Sequence, residues 1–219
     1  MTFSRRVFLT VFRPLLSILF SWRVAGKENV PMTGPVIMTA NHVSAADIFL
    51  LAFGLPRWVD FMAKEELFRS AFARVILRWA GSFSVHREGE MRHTQYVLDQ
   101  AIEALEKGSL LGIFPEGSRS RDGKLRKGKT SCAVLASQAD VPVLPIGIAG
   151  TDKLGGISWL WKRPPIVVNI GRPFRVTPAQ GRLGRAQRQC LTTQIMSEIA
   201  NLLPPEYRGA YARHEDREG

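Results

Sequence analysis

The residues with the most pointed spacing are Asn41-His42-Val43-Ser44-Ala45-Ala46-Asp47, directly after an apolar run that ends at Ala40. Imidazole titrates nearest neutrality of all side chains, so His42 suits proton abstraction. Ser44 and Asp47 have the separation of a capping box, which predicts a helix beginning at Ser44 with Asp47 in its first turn and His42 just ahead. From there the ring can fold back onto the Asp47 carboxylate, fixing one tautomer and leaving the other nitrogen to accept a proton. The same spacing is compatible with Asp47 serving only as a helix cap. No GxSxG elbow occurs in the chain, so a catalytic His42 would act directly on a substrate hydroxyl.

A second group surrounds Phe114-Pro115-Glu116-Gly117-Ser118-Arg119, which follows a predicted strand. Gly117, Ser118 and Arg119 would present a backbone N–H, a hydroxyl and a guanidinium at a strand end, where α/β proteins bind ligands. Arg119 suits a phosphate, and Arg87 lies at a comparable strand end. A solvated surface charge is the alternative for each arginine. Arg119, Arg121, Lys124, Arg126, Lys127 and Lys129 stand against one acid, Asp122, and concentrate positive field there. The whole chain agrees in sign: 30 Lys and Arg against 19 Asp and Glu give a formal charge of +11. Such a balance asks for an anionic partner, whether nucleic acid, acidic phospholipid or CoA-type phosphates. Cys132 and Cys190 stand far apart with no metal-ligand spacing, so no metal site is expected and a reducing, cytoplasm-facing location fits.

The elements that must carry these residues alternate. Runs at 35–40, 59–63, 82–86, 110–114, 143–149 and 166–170 predict strands. Helical spacing covers 44–53, 65–79, 92–107 and 132–139, with another helix between Pro178 and Leu203. This pattern predicts a single α/β domain whose mostly parallel or mixed sheet is flanked by helices. We divide the chain into an N-terminal membrane-interfacial helical segment (1–23), a catalytic domain (24–205) and a charged C-terminal tail (206–219). In the first segment Arg13 and Pro14 interrupt the apolar run, so it is not expected to span a bilayer. Arg5, Arg6, Arg13 and Arg23 would meet lipid headgroups, while Phe8, Phe12, Leu15, Leu16, Leu19, Phe20 and Trp22 sink below them. Packing of the same face on the protein's own core is the alternative. Phe68, Phe72, Ile76 and Trp79 form an apolar stripe that would line either an acyl-chain tunnel or plain core.

Taken together these residues resemble the glycerolipid acyltransferase family typified by 1-acylglycerol-3-phosphate acyltransferase. Its NHxSxxD block appears at Asn41 to Asp47, and its glycine, strand and arginine block at Gly81 to Arg87. Its FPEGTRS block appears at Phe114 to Ser120 with Ser118 for threonine, and its VPVLPI block at Val141 to Ile146. Ala63 to Phe68 resembles the family's AKxELF segment, and Arg126-Lys127-Gly128 its basic pair before glycine. Ser82, Ser84 and His86 make the second block more polar than is usual in the family. The resemblance implies His42 as base and Asp47 as its partner, with Arg87, Glu116, Gly117, Ser118, Arg119 and Lys127 at the acceptor's phosphate. Glu116 would position rather than bind by charge. It further implies a lysophospholipid acceptor and acyl-CoA or acyl carrier protein as donor with no other cofactor, while the basic and apolar N-terminal segment points to an anionic membrane surface as partner.

Two rivals come from the same residues. Gly123 to Thr130 matches the phosphate-loop pattern GxxxxGK[ST], although a phosphate loop must leave its strand at once and this one does not. A non-enzymatic basic module is the other. With three tyrosines and no aromatic reading surface among its basic clusters, the chain is not expected to bind nucleic acid.

Overall fold

A computed structural model of the chain describes residues 21–64, 82–85, 90–155, 159–178, 181 and 183–212. Seven strands, β1 (Ser21–Ala25), β2 (Val36–Ala40), β3 (Val59–Lys64), β4 (Ser82–Val85), β5 (Leu110–Ile113), β6 (Val143–Ala149) and β7 (Pro165–Ile170), form one sheet. Their order is β1-β7-β6-β2-β5-β3-β4. All neighbours are parallel except β6 and β7, so the sheet is mixed, as expected.

The central strands β2 and β6 are buried along their whole length, which is why VIMTA and VLPIGIA read as continuous apolar runs. Next to the edge strand β1, β7 alternates between buried and partly open residues instead. Successive side chains divide the core between two faces. Ile37, Leu111 and Val143 pack under helices α2 (Glu90–Glu106), α3 (Thr130–Ala139) and α5 (Arg185–Asn201). Val36, Met38, Leu110 and Leu144 pack on the other face with Leu51 and Ala52 of helix α1 (Ala46–Gly54). A single-turn helix, α4 (Trp159–Lys162), precedes β7.

Two expectations change. Residues 21–23 are strand rather than helix: β1 starts at Ser21 and pairs with β7 from Ser21↔Pro165 to Ala25↔Asn169. Trp22, expected in lipid, closes on Gly54 of α1, where an added Cβ would lie 2.8 Å from its ring. The first turn keeps the expected capping arrangement, with Asp47 Oδ2 accepting the Ser44 N–H (2.8 Å) and the Ser44 hydroxyl accepting the Ala46 N–H (3.3 Å), and the regular helix α1 begins at Ala46. The tail does not begin at 206 either, since Tyr207 is buried and residues 205–211 form two short 3-10 turns on the domain. The interfacial run up to Phe20, the helix at 65–79 with its apolar stripe, Arg87 and residues 213–219 all lie outside the described residues.

Candidate active site

The chain leaves β2 at Ala40 and is gripped immediately. Asn41 presents its amide edge to β6, donating to the Ile148 carbonyl (2.8 Å) and accepting from the Ile148 N–H (2.7 Å). Its side chain thereby imitates one more step of the sheet ladder and sets the direction in which His42 departs. The His42 N–H donates to Glu116 Oε1 (2.8 Å), and its carbonyl accepts from the Ser120 N–H (2.7 Å). Backbone on both sides of the imidazole is therefore held.

The ring is held as well. His42 Nδ1 lies 2.9 Å from Asp47 Oδ2, and its face stacks on Phe114 with centroids 4.0 Å apart and planes 18° from parallel. Phe114 in turn stacks on Phe61 at 5.9 Å, and Phe61 lies where a side chain on Gly112 would be, 2.6 Å from its notional Cβ. Asp47 is fully buried, and Oδ2 also accepts the N–H groups of Val43 and Ser44 at 2.8 Å each. The first turn of α1 adds the positive end of the helix dipole. Those donors stabilise the carboxylate, which can only accept, so Nδ1 carries the proton and Nε2 keeps its lone pair. With 14% of the His42 side chain exposed, the arrangement can take a proton from a group arriving at Nε2.

Glu116 is 3% exposed and joins two segments: Oε1 accepts from His42 and Oε2 from the Arg126 N–H (3.0 Å). Burial pushes its carboxyl above the usual range, and the two N–H bonds and the nearby Arg126 charge pull it part of the way back. Its bonds go to protein backbone rather than toward an acceptor. Gly117 departs from expectation: its N–H donates to the Phe114 carbonyl (3.0 Å), closing a turn that holds Gly117 at φ 71°. The Ser118 hydroxyl accepts from Arg126 Nη1 (2.8 Å). Arg119 and Lys127 are exposed and make no hydrogen bond or ion pair among the described residues.

The basic loop is fastened from the far end of the chain. Buried Leu125 donates its N–H to the Tyr207 carbonyl (2.8 Å) and accepts from the Ala210 N–H (2.9 Å). Tyr211 Oη accepts from the Gly128 N–H (3.2 Å). The Tyr207 hydroxyl donates to Asp152 Oδ1 (2.8 Å), and burial together with that carboxylate pushes the phenol up to about 12. Sequence reasoning missed Asp152, Tyr207 and Tyr211; nothing local marks them, and the two tyrosines were assigned to a tail. Beside this clasp a shallow hollow of about 560 Å³ opens between Lys124–Lys127 and Gly209–Ala210, away from the His42 ring.

The same bonds remove the phosphate-loop reading of Gly123 to Thr130. The N–H groups of Leu125, Arg126, Gly128 and Lys129 are donated to Tyr207, Glu116, Tyr211 and Pro115 rather than turned toward a ligand. Strand β5 has ended at Ile113, well before Gly123. Among the described residues no group of three or more His, Cys, Asp or Glu could hold a metal ion.

Comparison with known proteins falls on the same segments. The Acyltransferase family profile matches residues 21–149. The 1-acyl-sn-glycerol-3-phosphate acyltransferase of Bacillus subtilis is 29% identical over 196 residues, covering 86% of this chain and 93% of that one. The enzyme of the same name from Borreliella burgdorferi is 33% identical over 131 residues, and the match spans 59% of this chain and about half (51%) of that relative. The crystal structure of the 1-acyl-sn-glycerophosphate acyltransferase of Thermotoga maritima aligns with a TM-score of 0.66 at 26% identity, over 90% of this chain and 80% of that one. Since the matched span runs from the first residue of β1 to the last of β6 and takes in both the His42 turn and the Glu116 loop, this chain belongs to the acyltransferase family.

Proposed function

We propose that this protein is a 1-acyl-sn-glycerol-3-phosphate acyltransferase that moves a fatty acyl group from a thioester to the free sn-2 hydroxyl, producing phosphatidic acid and a free thiol. The observation that carries the reading is the buried Asp47 carboxylate 2.9 Å from His42 Nδ1, which leaves Nε2 as the acceptor of the hydroxyl proton. The relatives' names support the acceptor class. The hydroxyl oxygen attacks the thioester carbonyl carbon while His42 Nε2 takes its proton. The tetrahedral adduct then expels the thiolate, which recovers that proton from the imidazolium. Asp47 holds the tautomer and offsets the transient charge on the ring. Arg119, Lys127 and Arg87 supply cations for the acceptor's phosphate, and Glu116 holds the His42 and Arg126 backbones in register.

The donor is acyl-CoA or acyl carrier protein, since either presents the same carbonyl. We place the reaction at the cytoplasmic face of a membrane, contacted by the apolar and basic residues before Ser21. The free thiols of Cys132 and Cys190 support a reducing compartment. No helix among the described residues is long and apolar enough to cross a bilayer.

Thiol release across a panel of lysolipids, with both donors, tests the assignment. Replacement of His42 by alanine is expected to lower kcat by roughly two to four orders of magnitude with the fold retained. Wild-type turnover in that variant would sink the reading. Preference for an acceptor without phosphate would remove the roles given to Arg119 and Lys127.

A further inference from the structure

Among the described residues Trp161 is the most exposed large apolar side chain, at 88%, ahead of Met32 at 60% and Tyr96 at 48%. A single exposed aromatic is ordinary on a protein surface. Its setting is not ordinary. Trp161 stands on the one-turn helix α4, which the Arg163 N–H closes by donating to the Trp159 carbonyl (2.8 Å). Arg163 follows in the left-handed region (φ 40°), and Pro164 and Pro165 then stiffen the return into β7. The backbone just after the indole is thus constrained, which lowers the ordering cost of seating the turn. Lys162 and Arg163, beside it, are exposed too.

Strand directions decide where this turn sits. Strand β6 is parallel to β2, and β7 is antiparallel to β6. The end of β6, the start of β7 and the residues just after β2, including His42, therefore share one end of the sheet. Ser21 pairs with Pro165, so the chain before β1 also joins at this end. Two strand spacings, roughly 10 Å, separate the β7 start from the β2 end. Arg119, Lys124, Lys129 and Lys153 are exposed there, while Asp122 and Asp152 already accept bonds from Ser120 and Tyr207. At the opposite end Lys107 pairs with Glu103 and Arg175 with Asp140, and Arg57, beside Met32, is engaged by the Pro31, Gly34 and Gly108 carbonyls.

We infer that the turn Trp159–Lys162 with Arg163 is a membrane contact of its own, seating Trp161 at the headgroup boundary of an anionic lipid surface so that the His42 end of the sheet faces the lipid. An indole flanked by basic side chains fits that boundary, the ring entering the apolar edge and the cations meeting phosphates. This deepens the function proposed above, because an acceptor with a fatty chain resides in the same surface. A soluble donor whose base stacks on Trp161 is the competing occupant.

The full-length protein is mixed with vesicles of phosphatidylcholine containing phosphatidylglycerol, with and without lipids brominated along the acyl chain. Part of the tryptophan emission is expected to be quenched, and that part shrinks in Trp161→Phe. Combined replacement of Trp161, Lys162 and Arg163 by alanine weakens partition into these vesicles by about tenfold, with little effect on phosphatidylcholine alone. Met32→Ala leaves partition unchanged. Equal quenching in the wild type and Trp161→Phe overturns the proposal. So does a raised KM for acyl-CoA in Trp161→Ala when no vesicles are present. Thiol release with a short-chain monomeric acceptor, measured without vesicles, tests the transferase reading separately: its absence in the wild type sinks that reading and leaves the quenching result standing.

Discussion

The His42 turn and the basic loop at 116–129 lie side by side, yet they are held in opposite ways. In the turn, three donors within five positions of Asp47 converge on one carboxylate oxygen, and the reactive ring is wedged on Phe114. In the loop it is the backbone that is fastened, to Glu116, Pro115, Tyr207 and Tyr211, while Arg119 and Lys127 extend into solvent. Proton transfer needs a donor and acceptor at a set distance, so the side chain itself must be fixed. Attraction of an anion depends on field, and long cationic side chains can stay solvated until the ligand arrives. One region accordingly sets geometry, the other sets potential.

Damage to the turn should therefore appear in kcat and damage to the loop in KM. Asp47→Asn is expected to have the largest effect, a fall in kcat of roughly two to four orders of magnitude by thiol release. An amide oxygen can still accept from the ring and both backbone donors, but it is neutral and no longer offsets the charge that develops on the imidazole. A change confined to KM would break the comparison. Asp47→Ala is a poorer probe, because it also releases the Val43 and Ser44 N–H groups.

Glu116→Gln comes next, since the brace joins both regions. A glutamine amide accepts one of the two backbone N–H groups and opposes the other with its own NH2, at a cost of about 1–3 kcal/mol in denaturant midpoint experiments. The pH dependence has a definite sign. A carboxyl whose folded pKa is raised binds more protons in the folded protein than in the unfolded chain, so its contribution falls as pH rises above the ordinary value of 4.5 and levels off beyond the folded value. Glu116→Gln should flatten that part of the stability profile. An unchanged slope would show that burial does not govern this carboxyl.

Smaller effects belong to the loop. Arg119→Ala and Lys127→Ala should each raise the KM for a phosphate-bearing acceptor several-fold, about 3 to 10, at little cost to kcat. The difference should shrink as salt is added, because exposed charges are screened over about 8 Å at physiological ionic strength. Persistence of the defect at high salt would mean that these side chains act by fixed geometry after all. Tyr211→Phe, which removes the acceptor of the Gly128 N–H, should raise the same KM by a factor of about 2 to 5 and leave the thermal midpoint nearly unchanged.

Much of this was legible in the residues alone. The run Val143 to Ala149 coincides with β6, because a strand buried on both faces has no choice but to be apolar throughout. His42 and Asp47 could be paired on spacing, since five residues of turn leave few ways to arrange them. Strand β1 was hidden inside a longer apolar stretch: nothing in Ser21-Trp22-Arg23-Val24-Ala25 announces that its partner is β7, far along the chain. The inward turn of the Gly117 N–H was equally silent, because only the folded loop shows that the Phe114 carbonyl needs a donor.

The sequence alone determined the alternation of strands and helices, the acid beside the imidazole and the sign of the surrounding charge, all of which depend on periodicity or on neighbours a few residues apart. Tertiary structure decided which groups remain available to a substrate. Asn41 meets Ile148 across 107 residues, Tyr211 meets Gly128 across 83 and Glu116 meets His42 across 74. Such pairings follow from how the sheet is ordered and how the chain end packs back on it, and the energy that selects them is shared over the whole core rather than written at either partner.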